Sequence, residues 1–212
     1  MKIHLQRELD SLKKHLFHLS TLVEEILNTS IQAITQNDGQ IAKEAKALDR
    51  EIDRLEVEVE EECLKILALH QPVAVDLRFL IAALKMNNDL ERIGDLAVNI
   101  ARAQGFLSQC ENRHLFTDHI LRMSDMASLM LRKSLEALMN RDAEKAQLVM
   151  KDDDDVDAYY FKIIELVKTE MRRGPEKAEE LVGWIMVAKH IERVADLATN
   201  IAEDTLYMVK GE

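Results

Sequence analysis

Two prolines in 212 residues leave almost nothing to interrupt a helix, and six glycines leave few sites for a tight turn. Aromatic residues make up only 4% of the chain, too few for the cross-strand filling that β-sheets favour. Cys63 and Cys110 are the two cysteines, and they form no spaced metal motif. The N-terminus, MKIHLQRELDSLKKHL, mixes polar and apolar residues from the start, unlike a secretion signal. Two thiols without such a signal point to a reducing cytoplasm. No apolar run approaches the roughly 20 residues of a membrane span. A Gly-rich phosphate loop, a Ser/His/Asp set and a Cys/His pair are all missing, so nucleophilic catalysis has no visible machinery and a non-enzyme is expected. Basic residues are outnumbered, 28 Lys and Arg against 39 Asp and Glu, for a formal net charge of −11. That balance excludes nucleic acid and anionic lipid as partners and suits cations or a basic protein surface.

What the chain does hold is helix-forming sequence, rich in Leu, Ala, Glu and Lys. Leu5, Leu9, Leu12, Leu16, Leu19, Val23 and Ile26 alternate spacings of four and three, a seam for helix-on-helix packing. The first helix is expected over about residues 4–36, and Asn37-Asp38-Gly39 ends it. Ile41, Ala45, Leu48, Ile52, Leu55, Val59, Cys63 and Ile66 mark a second helix that stops near His70. A third is expected from Pro72 to Gln104, with the proline in its first turn and Gly105 opening the boundary between halves. Ile120 to Leu138 marks a fourth helix, Asn140-Arg141-Asp142 a turn, and Ala146 to Val167 a fifth; Gly174-Pro175 opens a sixth. Met123, Met126, Met130 and Met139 read as adaptable core filling.

The chain also writes one stretch twice. LERIGDLAVNIA, from Leu90, returns as IERVADLATNIA, from Ile191, without a gap and with only mild swaps. Such self-similarity fixes architecture. The expected fold is all-α: two tandem antiparallel three-helix bundles related by internal duplication, residues 1–108 and 109–212.

On a helix, Glu91 and Asp95 stack one turn apart and Asn99 continues the stripe; the copy supplies Glu192, Asp196 and Asn200. The middle helices carry matching pairs, Asp49 with Asp53 and Asp153 with Asp157. Asp53 and Glu91 lie equally far in sequence from Pro72, so an antiparallel return sets the two pairs at one height. Like charges four apart cost a few tenths of a kcal/mol on an isolated helix, which Arg92 and Arg193 one residue along, a bound cation or a basic partner surface could offset. Four converging carboxylates suit iron, manganese, magnesium or calcium, and zinc less readily. Any single pair is accounted for as a solvated face in a chain with 32% charged residues. Recurrence in both halves favours a site. Glu111-Asn112-Arg113-His114 has di-iron Glu-x-x-His spacing but occurs once, and His190 near Glu192 reads as a surface side chain.

HQPVAVDLR, the doubled motif and the closing IERVADLATNIAEDTLYMVKG resemble the PhoU family of phosphate-uptake regulatory proteins over nearly the whole chain. The resemblance implies two tandem three-helix bundles in a cytoplasmic, often dimeric protein. It implies a negative regulator of phosphate uptake and the phosphate-starvation response, acting between the phosphate ABC transporter ATPase and a sensor histidine kinase and reaching the membrane only through protein partners. It also implies that paired (E/D)xxxD motifs hold metal ions, iron first, on Asp49/Asp53 with Glu91/Asp95 and Asp153/Asp157 with Glu192/Asp196. GPEKAEEL in the second half replaces QPVAVDLR, so the two sites are expected to be unequal. The alternatives are a metal-dependent helical-bundle enzyme, which would need histidines beside the carboxylates, and a metal-free scaffold whose acidic stripes dock a basic partner.

Overall fold

The computed structural model describes residues 2–108, 110 and 113–211. Helices α1 (Lys2–Gln36), α2 (Gly39–His70) and α3 (Ala74–Leu107) form the first half; α4 (His114–Asn140), α5 (Ala143–Arg173) and α6 (Ala178–Lys210) form the second. The described residues contain no strand. None of their helices is long and apolar enough to cross a membrane.

The α1 seam is the packing face it resembles in sequence: Leu12, Leu16, Leu19, Val23 and Ile26 are fully buried. The turns after α1 and α4 share one chemistry. Asn37 (φ 59°) and Arg141 (φ 57°) take the left-handed conformation that ends a helix. The aspartate after each then caps the next helix. Asp38 accepts from the Gln40 N–H at 2.7 Å, and Asp142 from the Lys145 N–H at 2.9 Å.

Side-chain pairs give the directions within each bundle. His70 meets Glu8 at 2.9 Å and His15 meets Glu62 at 2.6 Å, so α1 and α2 run antiparallel. Lys133 donates to Asp152 and Lys145 to Glu136, which sets α4 against α5. Phe116 stacks on Trp184 with ring centroids 5.3 Å apart, tying α4 to α6 at the start of the repeat. Met123 and Met130 are buried, and Met126 and Met139 pack partly buried against the core, as filling.

The two bundles do not stand apart. α3 lies against α6, and α1 touches α4. Lys85 donates to Asp204 at 2.6 Å, while Leu107 packs on Gly183, so α3 and α6 are antiparallel over their full length. Arg132 donates to Glu24 at 3.0 Å across the other seam. Buried residues from all six helices form one continuous core. Apolar burial at about 25 cal/mol per Å² therefore holds the halves together as well as each bundle.

Three expected boundaries move. Pro72 is buried ahead of α3, because Val73 is extended (φ −128°, ψ 161°) and the helix begins only at Ala74, whose φ is 50°. Pro175 opens a 3-10 turn, Pro175–Lys177, and α6 starts after it. Gly105 is no boundary. It is exposed inside α3, and the buried Leu107 beyond it anchors the last turn against α6. That contact offsets the roughly 1 kcal/mol that a mid-helix glycine costs. The expected break at 108/109 abuts Gln109, which lies outside the described residues together with Glu111 and Asn112 of the Glu-x-x-His segment.

Candidate functional site

Gly94 of α3 faces Ile52 and Asp49 of α2. A Cβ there would stand 3.4 Å from the Ile52 side chain and 3.5 Å from Asp49 Oδ1. The Asp49 carboxylate therefore reaches over α3 at the level of Glu91 and Asp95. Burial first, then Asp53 and Asp95, pushes the Asp49 carboxyl above the usual aspartate range. Glu91 is raised in the same way, by burial and then by Asp95, Asp53, Glu56 and Asp49. Asp49, Asp53, Glu91 and Asp95 thus form one self-repelling group across the α2–α3 seam.

The second half rebuilds it. Burial, then Asp157 and Asp196, raises Asp153 to about 6, with Glu192 adding to the push and the Thr199 hydroxyl holding it back. Asp153, Asp157, Glu192 and Asp196 are the second group, across α5 and α6. It differs at one carboxylate: the Lys189 ammonium pairs with the buried Glu192 side chain. The corresponding residue in the first copy is Asn88.

Eight carboxylates are thus gathered four by four. Asn99 and Asn200 are placed elsewhere, lining a cleft between α3 and α6 to which Asp95 and Asp196 also contribute. Asn99 accepts from Arg102 at 3.0 Å. Within the described residues, no three His, Cys, Asp or Glu side chains already converge to chelating distance. The carboxylates stand close enough to repel each other, and rotation about their side-chain bonds would have to bring them onto an ion. Their chemistry fits a hard cation, since all donors are carboxylate oxygens.

Several residues at these sites escaped sequence reasoning. Asn87, 1% exposed, donates through Nδ2 to the Glu56 carbonyl at 2.9 Å and fixes α3 against α2 beside the first group. Its signal was an amide inside an apolar seam. Glu56 joins the acidic edge, raised by burial and by Glu60 and Asp53. His190, expected at the surface, is half-buried, and its Nδ1 has no hydrogen-bond partner. It lines a second α3–α6 cleft with Asn99, Phe106 and Met186, away from the acid groups. Burial and then Arg193 hold its pKa below the usual histidine value.

A family model described as the PhoU domain matches residues 16–103 and again 120–205, one copy to each half. The chain belongs to the PhoU family. A phosphate-specific transport system accessory protein PhoU homolog of Clostridium acetobutylicum is 32% identical over 98% of this chain and 94% of its own length. PhoU homolog 1 of Thermotoga maritima is 33% identical, covering 99% of this chain and 90% of that relative. Among solved structures, PhoU from Pseudomonas aeruginosa superposes with a TM-score of 0.92 at 31% identity, over 98% of this chain and 99% of that one. The phosphate transport system regulatory protein PhoU from Streptococcus pneumoniae gives 0.89 at 28% identity, covering 98% of each chain. The duplicated all-α fold is thus the PhoU fold.

Proposed function

We propose that this PhoU-family chain is a non-enzymatic accessory protein of a phosphate-specific transport system, acting in the cytoplasm as a negative regulator of phosphate uptake and the starvation response. Its partners in this reading are the transporter ATPase and a sensor histidine kinase, and it assembles as a homodimer. The relatives support the transport assignment, since they are described as accessory proteins of that system.

The observation that carries the site is the doubling. Two groups of four carboxylates sit at equivalent places on α2–α3 and α5–α6, and in both burial and mutual repulsion raise carboxyl pKa values. Asp49, Asp53, Glu91 and Asp95 would hold one metal site, and Asp153, Asp157, Glu192 and Asp196 the other, with iron the first expectation and manganese, magnesium, calcium or zinc behind it. Asn99 and Asn200 would supply neutral oxygens at the edge. A bound cation neutralises the repelling carboxylates; the chain's own part is to hold α2 at a fixed spacing from α3 and α5 from α6. That spacing sets the surface offered to the transporter and the kinase.

Elemental analysis of protein purified without added metal is the test. Asp49→Asn with Asp53→Asn should remove the first site's metal, and Asp153→Asn with Asp157→Asn the second's. Metal content unchanged in both would sink the metal reading and leave the family assignment untouched. The metal-free scaffold is the second reading, and the Lys189–Glu192 pair favours it, because a lysine already serves as counter-ion where a basic partner would.

A further inference from the structure

Asp95 and Asp196 of the acid groups also line the cleft where the two copies of the repeated motif face each other, and the metal reading leaves Arg92 and Arg193 of that cleft unused. Arg78 lies against Gly211, Lys85 pairs with Asp204 and Leu107 touches Gly183, a register that puts the middle of the crossing beside Asp95 and Asp196. The cleft opens there, with a volume of about 550 Å³. Its polar wall consists of equivalent residues: Arg92, Asp95 and Asn99 from α3, and Arg193, Asp196 and Asn200 from α6. Leu96 and Leu197, again a matched pair, complete the lining. The duplication has therefore built a local two-fold site in which each half supplies one guanidinium, one carboxamide and one carboxylate.

Two guanidiniums with two amides are a donor set for a tetrahedral oxyanion, because the arginine fork matches paired oxygens on one phosphoryl group. Arg193 has no ion-pair partner among the described residues. Arg92 has only a long contact of 3.5 Å to Asp89 and is 64% exposed. Both can turn toward a ligand. The two aspartates decide which oxyanion. A carboxylate offers only acceptors, so an anion beside it must bring a proton or be repelled. Inorganic phosphate near neutral pH carries at least one P–OH hydrogen in both of its forms, whereas sulfate and the dianion of a phosphomonoester carry none. The volume exceeds a bare anion and leaves room for water, within the range of small-molecule sites.

The geometry points to a binding site for inorganic phosphate carrying a P–OH hydrogen, held by Arg92 and Arg193 and selected against sulfate by Asp95 and Asp196. The site goes beyond the metal reading, and neither arginine belongs to the acid groups. Occupancy would link α3 to α6, and hence one bundle to the other.

Isothermal titration calorimetry on the full chain, stripped of metal by a chelator, tests it with inorganic phosphate, phenyl phosphate and sulfate at neutral pH. Inorganic phosphate should bind and sulfate should not; phenyl phosphate, largely a dianion without a P–OH hydrogen at that pH, should bind more weakly than inorganic phosphate, and a preference for it would overturn the proton-based selection. Arg92→Gln with Arg193→Gln should weaken binding by at least about tenfold, the loss expected when charge-assisted hydrogen bonds are removed. Both side chains are exposed, so circular dichroism should show the fold intact. Metal content should be unchanged in that variant, whereas the Asp49/Asp53 variant should lose metal and keep phosphate binding. Asp95→Asn with Asp196→Asn should let sulfate bind. Heat from none of the three ligands, binding indifferent to the arginine pair, or sulfate bound as tightly as phosphate by the unaltered chain would each overturn the proposal.

Discussion

Lys189 on α6 donates to the carboxylate of Glu192, three residues further along the same helix, while the equivalent first-copy residue, Asn88, leaves Glu91 without such a cation. The ammonium also lies 5.5 Å from the Tyr160 ring centroid, on α5. Duplication has kept the acids and changed their counter-charge. Lys189→Ala should therefore increase metal uptake at the second group, as read by metal titration in the Asp49/Asp53 variant, where the first site is removed. No gain in that background would mean that the lysine does not compete for Glu192.

Asp89 is 8% exposed on the α3–α6 side of the repeat. Burial raises its carboxyl to about 6; Arg92 pulls back, Asp204 adds to the push, and Lys85 opposes it. The folded value lies above the ordinary 3.8, so ionised Asp89 costs the folded state stability. That cost is fully present above about pH 6, shrinks as pH falls through it, and is gone below the unfolded value. Asp89→Asn should stabilise the chain by on the order of 1–3 kcal/mol above neutral pH, with the gain vanishing near pH 4. Urea unfolding across that range reads it, and a gain that grows toward acid would contradict the sign.

Asn87 joins α3 to α2 through the Glu56 carbonyl. Its Oδ1 has no hydrogen-bond partner, so the amide is only half satisfied. Asn87→Ala should cost about 1–3 kcal/mol through the small cavity and the lost bond, seen as a lower denaturation midpoint with unchanged m-value.

Cys63 is fully buried on α2, and burial, then Glu62 and Glu60, pushes its thiol up to about 12. Iodoacetamide reacts with thiolates. In a Cys110→Ser background the native chain should resist alkylation near neutral pH and label fully in denaturant, as followed by mass spectrometry. Rapid native labelling would mean that α2 opens locally.

Much of the fold could be read locally. The Leu5–Ile26 seam, the Asn37-Asp38 and Arg141-Asp142 turns and the returning motif each depend on neighbours within one or two helical turns. The acid groups were legible for the same reason, since equal helix lengths on either side of Pro72 set Asp53 and Glu91 level. The errors fell where a distant contact outweighed a local signal. Leu107 carried α3 past Gly105, Ala74 turned the chain after Pro72, and the crossing with α3 half-buried His190.

By itself the sequence determined six helices, their pairing into two like halves and which carboxylates come near enough to repel one another, because helical periodicity and chain length are properties of short segments. Only the tertiary structure decided that α3 lies antiparallel on α6, that Lys189 covers one glutamate, and that Arg92 and Arg193 share a cleft. Those outcomes depend on how two packed surfaces interlock, and that is settled by side chains about a hundred residues apart.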